Sequence, residues 1–223
     1  MTQFISYQEW TSQYERELMR CGADREDACL AAQLGWNIVK AHQACYGIHS
    51  TTPVHFSLAP MQEQPRVLAI CSGAKFGGPE CYMVFTKGLH GRLLELQSSY
   101  GNAVALSVVL EGIAVHEVRH RIQEREVQSV KFFKRSQLEG IWPDDFFVQV
   151  CWHVHQDFLE GEAAARNSGA PEEDIRWIFS DDEYDAAVVE RMFIHLHEAF
   201  KTDEQLAKFI RIDCPRLDFI RHT

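Results

Sequence analysis

The chain has 223 residues, 46% of them hydrophobic, so it can bury one substantial core and is too apolar to be a disordered protein. Its 32 acidic and 22 basic side chains give a net charge of -10, which would repel a phosphate backbone and argues against nucleic acid as a partner. We also expect no signal peptide and no membrane association, because no apolar stretch has the required length.

The first 50 residues predict two amphipathic helices. Apolar side chains recur at the helical period within residues 6–20 and again within residues 24–44. Between them, Gly22-Ala23-Asp24 supplies a break and a helix cap. The chain therefore begins with a helical pair.

Beyond Gly47, prolines and glycines divide the chain into short β-like runs. Three strands are predicted, at Val54–Leu58, Arg66–Cys71 and Cys81–Thr86. The third is a candidate edge strand, which could bind an extended peptide through main-chain hydrogen bonds.

From Leu93 onward the pattern is helical almost to the end of the chain. A long helix is predicted from Asn102 to about Gln128, since this run has no proline and only Gly112 as a weak point. Further helices are predicted at residues 144–167, 171–179, 182–200 and 203–212, the third after the acidic cap Ser180-Asp181-Asp182.

This order of elements predicts a single α+β domain that is predominantly helical, with a small three-stranded sheet packed on the long helix. Residues 1–50 form its N-terminal helices, and residues 51–128 form the sheet and the long helix. Residues 129–223 form a helical C-terminal part.

The long helix carries the pattern His116-Glu117-Val118-Arg119-His120. Two histidines four residues apart are offset by only about 40° around a helix, so both rings can bind one metal ion. Glu117 lies beside the first histidine, where its carboxylate can act as general base on a metal-bound water. The preceding residues, Ala103 to Val115, are mostly apolar, so the helix is expected to be buried. The pattern predicts a zinc site.

The segment from Ala114 to Gln123 resembles the active-site helix of gluzincin-type zinc metallopeptidases, especially compact bacterial and phage-type forms reading HExxHxxQ. The resemblance implies a zinc-dependent hydrolase acting on a peptide or protein, with His116 and His120 as ligands and Glu117 as catalytic base. It also implies a third ligand, a glutamate from a later helix, in a pattern close to E-x-D-A or E-x-x-A.

Two later segments fit that pattern, Glu183-Tyr184-Asp185-Ala186 and Glu160-Gly161-Glu162-Ala163. Glu183 is favoured, because Ala186 and Ala187 allow close approach to the metal helix and the Glu160 segment soon ends. Glu160 stays the alternative. Gln123 and Asp185 are candidates for orienting the ligand histidines through hydrogen bonds.

Other candidate clusters favour structural roles. The histidine pairs 153/155 and 195/197 diverge by about 200° on a helix, so neither pair can bind one metal, although one member could stabilise an oxyanion. Cys151, Trp152 and Phe146-Phe147 are expected in the core. The basic-aromatic segment Lys131–Arg135 is interpreted as a helix end rather than as an RNA contact.

The seven cysteines are scattered and contain no CxxC pair. They argue against a disulfide framework and against a thiolate zinc site, and they favour the cytoplasm. Two other functions stay open beside the zinc hydrolase. One is a catalytically idle metal-binding regulatory module, and the other is a helical interaction protein with a chance HExxH pattern.

Overall fold

The computed structural model describes residues 6–50, 52–59, 67–73, 79–101, 103–135 and 146–213. Its elements, in chain order, are α1 Tyr7–Arg20, α2 Arg25–Tyr46, β1 Val54–Ser57, β2 Ala69–Ser72, β3 Cys81–Phe85, α3 Leu89–Tyr100, α4 Leu106–Arg125, α5 Phe146–Asn167, α6 Glu172–Ile178, α7 Asp181–Leu196 and α8 Asp203–Ile210. A short 3₁₀ helix, His197–Ala199, follows α7. The predicted fold class, a predominantly helical α+β protein with a small sheet, is confirmed.

The start of the third helix differs from the sequence prediction, because the residue that caps it lies in a distant part of the chain. The third helix begins at Leu89 rather than at Leu93. The Asp27 carboxylate on α2 accepts hydrogen bonds from the backbone N–H groups of Gly88 at 2.7 Å and His90 at 2.8 Å. These hydrogen bonds pair backbone N–H groups that the first turn of a helix leaves without a partner. The residues next to the helix start do not predict them, because Asp27 lies on α2. The predicted element starts at Arg66, Asn102 and residue 144 lie outside the described residues.

The sheet has the order β1-β3-β2, with β1 parallel and β2 antiparallel to β3. The prediction that Cys81–Thr86 forms an edge strand is therefore wrong, because β3 lies in the centre. Four of its five residues are buried, as expected for a strand covered on both faces. Strand order depends on contacts between distant residues, which the local pattern of β3 does not contain.

α4 packs against five other elements of the fold. It contacts α7, α2, β2, α3 and α8, and most of its side chains between Val108 and Gln123 are buried. The prediction of a buried helix carrying the HExxH pattern is confirmed. Burial removes much of α4 from water, so polar groups on it must find partners inside the protein.

The segment Lys131–Arg135 follows α4 and packs into the fold. Phe133 is buried, and its backbone N–H donates a hydrogen bond to Asp185 at 2.8 Å. The guanidinium of Arg119 lies over the ring of Phe132, 5.0 Å from its centroid. These contacts give both aromatic residues a structural role.

α5 exposes aromatic residues that the sequence placed in the core. Cys151 is buried, as expected, but Phe146, Phe147 and Trp152 are 37–38% exposed. The buried face of α5 carries Cys151 and Val154, and Trp152 points about 100° away from Cys151 around the helix axis. The core prediction is wrong for these three aromatic residues. Among the described residues, no helix combines the length and apolarity that crossing a membrane requires.

Candidate metal centre

His116 and His120 lie one turn apart on α4, and their rings converge. Their Nε2 atoms are 3.1 Å apart. Each side chain is 17% exposed, so both rings border solvent at one side of an otherwise buried helix. Two ring nitrogens therefore face the same point.

Glu183 reaches this point from the first turn of α7. Ser180 caps the helix, because its hydroxyl oxygen accepts a hydrogen bond from the backbone N–H of Glu183 at 3.3 Å. The two carboxylate oxygens of Glu183 lie 3.4 Å from His116 Nε2 and 3.4 Å from His120 Nε2. The cap thus fixes the turn that supplies the third side chain.

Small residues let α7 approach α4 closely. Ala186, on α7, is fully buried. A Cβ atom added to Gly112 of α4 would lie only 2.9 Å from Ile194 Cγ1 of α7, which is closer than van der Waals contact allows. The glycine that weakens the helix in isolation is therefore needed for the packing of the two helices.

The three side chains fit a zinc ion. Ligand atoms placed tetrahedrally around zinc at about 2.0–2.1 Å lie about 3.3 Å from one another. The observed separations are 3.1 Å between the two nitrogens and 3.4 Å from each nitrogen to a Glu183 oxygen. Two imidazoles and a carboxylate also form a ligand set found in catalytic zinc sites. Among the described residues, this is the only group of three or more His, Cys, Asp or Glu side chains with such spacing. We call His116, His120 and Glu183 the metal group.

The electrostatic field at the site favours a cation. Burial lowers the pKa of His116, but the carboxylates of Glu183 and Glu190 outweigh burial and hold that pKa well above its usual value. Burial likewise lowers the pKa of His120, but the charge and the hydrogen bond of Glu183, together with the charge of Glu117, raise that pKa above its usual value. For Glu183, burial raises the pKa, and the neighbouring imidazoles bring it well below its usual range. A metal cation bound here would be stabilised by the same carboxylates that favour protonation of the histidines.

Glu117 contributes a buried carboxylate next to this group. The residue is only 5% exposed, and its Oε2 atom has no hydrogen-bond partner among the described residues. Burial raises the pKa of Glu117, and the nearby charges of His116 and His120 partly counter this effect. A buried oxygen without a donor is costly, so the arrangement suits a group that binds a water molecule or takes up a proton.

Gln123 orients the ring of His120. Its amide nitrogen donates to the Asp182 carbonyl oxygen and to Asp185 Oδ2, both at 2.8 Å. This leaves the amide oxygen as acceptor for His120 Nδ1, at 2.7 Å. His120 Nδ1 then donates to Gln123, and Nε2 is the ring nitrogen that remains to bind a metal.

Glu190 orients the ring of His116, and sequence reasoning missed it. Its Oε2 atom accepts a hydrogen bond from His116 Nδ1 at 2.9 Å. Glu190 follows Glu183 by seven residues, so the two carboxylates lie on one face of α7, two turns apart. That spacing from a suspected ligand is the signal that could have identified Glu190.

Asp185 was expected to contact a ligand histidine, and this prediction is wrong. Its two oxygens accept hydrogen bonds from Arg119, at 2.7 and 2.9 Å, and it reaches His120 only through Gln123. The reason lies in the helix geometry, since Asp185 is about 200° around α7 from Glu183. Arg119 and Asp185 are both 0% exposed, so this buried ion pair joins α4 to α7.

The group opens into a cleft of about 500 Å³. One wall consists of five consecutive residues, Val67 to Cys71, and another includes Trp177 and Ile178 at the end of α6. β2 is the end strand of the described sheet, and three of its four residues, Ala69 to Cys71, line the cleft.

The remaining candidates lie elsewhere. Glu160 is exposed on α5 and does not belong to the metal group. The described residues that line the cleft include none of the four histidines at positions 153, 155, 195 and 197. The structure thus brings together His116, His120, Glu183 and Glu117. No protein-family model, curated protein or solved structure matches this chain.

Proposed function

We propose that the chain is a zinc-dependent metallohydrolase that cleaves peptide bonds. The observation that carries the proposal is the arrangement of four side chains. His116, His120 and Glu183 have the mutual spacing of zinc ligands, and Glu117 holds an unpartnered carboxylate oxygen beside them. Glu183 lies far from the HExxH pattern in sequence, so its position beside both histidines argues against a chance pattern on a helical interaction protein.

A zinc ion bound by these residues would acidify a water molecule and polarise a substrate carbonyl oxygen. Glu117 accepts the proton of the attacking water and passes it to the nitrogen of the leaving amine. Gln123 and Glu190 each accept a hydrogen bond from Nδ1 of one ligand histidine, so both imidazoles would bind the zinc ion through Nε2. A catalytically idle metal site has no use for Glu117, so the unpartnered oxygen favours catalysis over a regulatory role.

The shape of the cleft supports a peptide as substrate. In the described part of the chain β2 is an edge strand of the sheet, and its residues line the cleft beside the metal group. An extended peptide can add to such an edge through main-chain hydrogen bonds, which places its backbone carbonyl groups along the cleft. A small non-peptide amide would not need a strand edge of this length.

We place this activity in the cytoplasm. No disulfide joins the cysteines that the structure describes, which fits a reducing compartment. Cys71, Cys81 and Cys151 are buried, and partial burial raises the pKa of the Cys45 thiol to about 12. A thiol with a pKa raised this far is a poor nucleophile.

Zinc-loaded protein is expected to cleave members of a diverse peptide mixture, and cleavage is read by mass spectrometry of the products. A chelator should abolish cleavage and added zinc should restore it, because the metal supplies the activated water. The His120→Ala variant is the matched control and should be inactive under all three conditions. Absence of cleavage by protein that demonstrably holds zinc would overturn the proposed function.

A further inference from the structure

Tyr100 is connected to the metal group through Glu190, without a hydrogen bond of its own to the metal group or to Glu117. It is the last residue of α3, and its hydroxyl group donates a hydrogen bond to Glu190 Oε1 at 2.7 Å. The other oxygen of the same carboxylate accepts from His116 Nδ1 at 2.9 Å. A continuous chain of hydrogen bonds therefore runs from Tyr100 through Glu190 to a ligand histidine.

The chemistry of the three side chains decides which groups donate and which accept in these hydrogen bonds. Burial raises the pKa of Tyr100 well above its usual value, so the hydroxyl keeps its proton and acts as donor. The two oxygens of the Glu190 carboxylate each accept one hydrogen bond, Oε1 from Tyr100 and Oε2 from His116. The Nδ1 atom of His116 is therefore engaged by Glu190, and Nε2 is the ring nitrogen that remains to bind a metal.

Tyr100 is itself held in place. The guanidinium of Arg191 lies 5.2 Å from the centroid of the Tyr100 ring, and Arg191 forms an ion pair with Asp157 of α5 at 2.8 Å. Glu190 is 7% exposed, so water cannot readily replace the tyrosine hydroxyl as its donor. Without this hydroxyl, Glu190 would lose one of its two anchors and could rotate away from His116.

We propose that Tyr100 is a positioning residue of the metal site, which fixes Glu190 and through it the orientation and tautomer of His116. Tyr100 thereby sets the zinc affinity without contacting the metal. This inference rests on the proposed metal site and extends it to α3, on which Leu96 also lines the cleft. Partners that orient ligand histidines contribute about 10- to 100-fold to metal affinity, so a residue one step further away is expected to contribute about tenfold.

The test compares the zinc affinity of the wild type with that of Tyr100→Phe, measured by competition with a chelator. Tyr100→Phe removes only the hydroxyl group, and we expect zinc binding to weaken about tenfold. Tyr82→Phe is the matched control, because it removes a buried hydroxyl that is hydrogen-bonded to His42 at 3.1 Å and not to the metal group. It should leave zinc affinity unchanged, whatever its effect on the melting temperature of the metal-free protein.

A second comparison separates positioning from general destabilisation. In a Glu190→Ala background, Tyr100→Phe should have no further effect on zinc affinity, because the link between Tyr100 and His116 is already broken. Cobalt-loaded Tyr100→Phe should also show a visible spectrum changed from that of the wild type. Unchanged affinity in Tyr100→Phe, or an undiminished effect in the Glu190→Ala background, overturns this inference alone. A wild-type protein that binds no zinc overturns it together with the proposed function.

Discussion

Zinc-loaded Glu117→Gln protein is expected to hydrolyse peptides roughly 10² to 10⁴ times more slowly than the wild type. The amide keeps the shape of the carboxylate and loses the proton acceptor. Glu117 does not belong to the group of metal ligands, so zinc content should be unchanged. The measurement is the turnover of one peptide identified as a substrate of the wild type, with zinc content determined on the same samples.

Glu111→Gln is a matched control for this substitution. Glu111 lies on the same helix but is exposed and does not line the cleft. Its replacement should leave turnover close to that of the wild type. If Glu117→Gln and Glu111→Gln hydrolysed the peptide equally fast, Glu117 would not be the catalytic base.

Replacing Asp185 with alanine is expected to lower the free energy of unfolding by about 3 to 5 kcal/mol. Arg119 and Asp185 are both 0% exposed, so the variant would keep a buried guanidinium without its counter-charge. Two further donors, the amide of Gln123 and the backbone N–H of Phe133, would lose their acceptor. Urea denaturation of metal-free protein measures the effect without a contribution from zinc binding.

Two comparisons test the cause of this loss. Glu204→Ala breaks the exposed pair of Glu204 with Lys208, whose side chains are 76% exposed, and should change stability little. Joint replacement of Arg119 by Met and Asp185 by Leu should recover the part of the loss that comes from the unpaired buried charge, but not the part that comes from the lost hydrogen bonds of Phe133 and Ile210. If Asp185→Ala were no more destabilising than Glu204→Ala, the buried pair would not join α4 to α7 in the way described.

The sequence predicted the parts of the site that depend on local periodicity. The i, i+4 spacing of His116 and His120 predicted their convergence, and the apolar run before them predicted a buried helix. The small residues after Glu183 predicted close packing of α7 against α4, and Ala186 is fully buried there. Each of these features is contained within a few turns of one helix.

The features that sequence reasoning missed depend on contacts between distant segments. Tyr100 contacts Glu190 across 90 residues, and Asp27 caps a helix more than 60 residues away. The edge strand at the cleft is β2 and not β3, because strand order follows from pairings that no single strand encodes. Asp185 was assigned to a histidine although its position around α7 favours Arg119.

The central claim is that His116, His120 and Glu183 bind one zinc ion between them. Zinc content per chain, measured by mass spectrometry of the element on protein purified without chelator, tests this claim most directly. About one zinc per chain is expected in the wild type and in the Glu160→Ala control, because a catalytic zinc takes three protein ligands and Glu160 is exposed on another helix. Glu183→Ala should lose most of the metal. Full zinc content in Glu183→Ala, or loss of zinc in Glu160→Ala alone, would contradict the account.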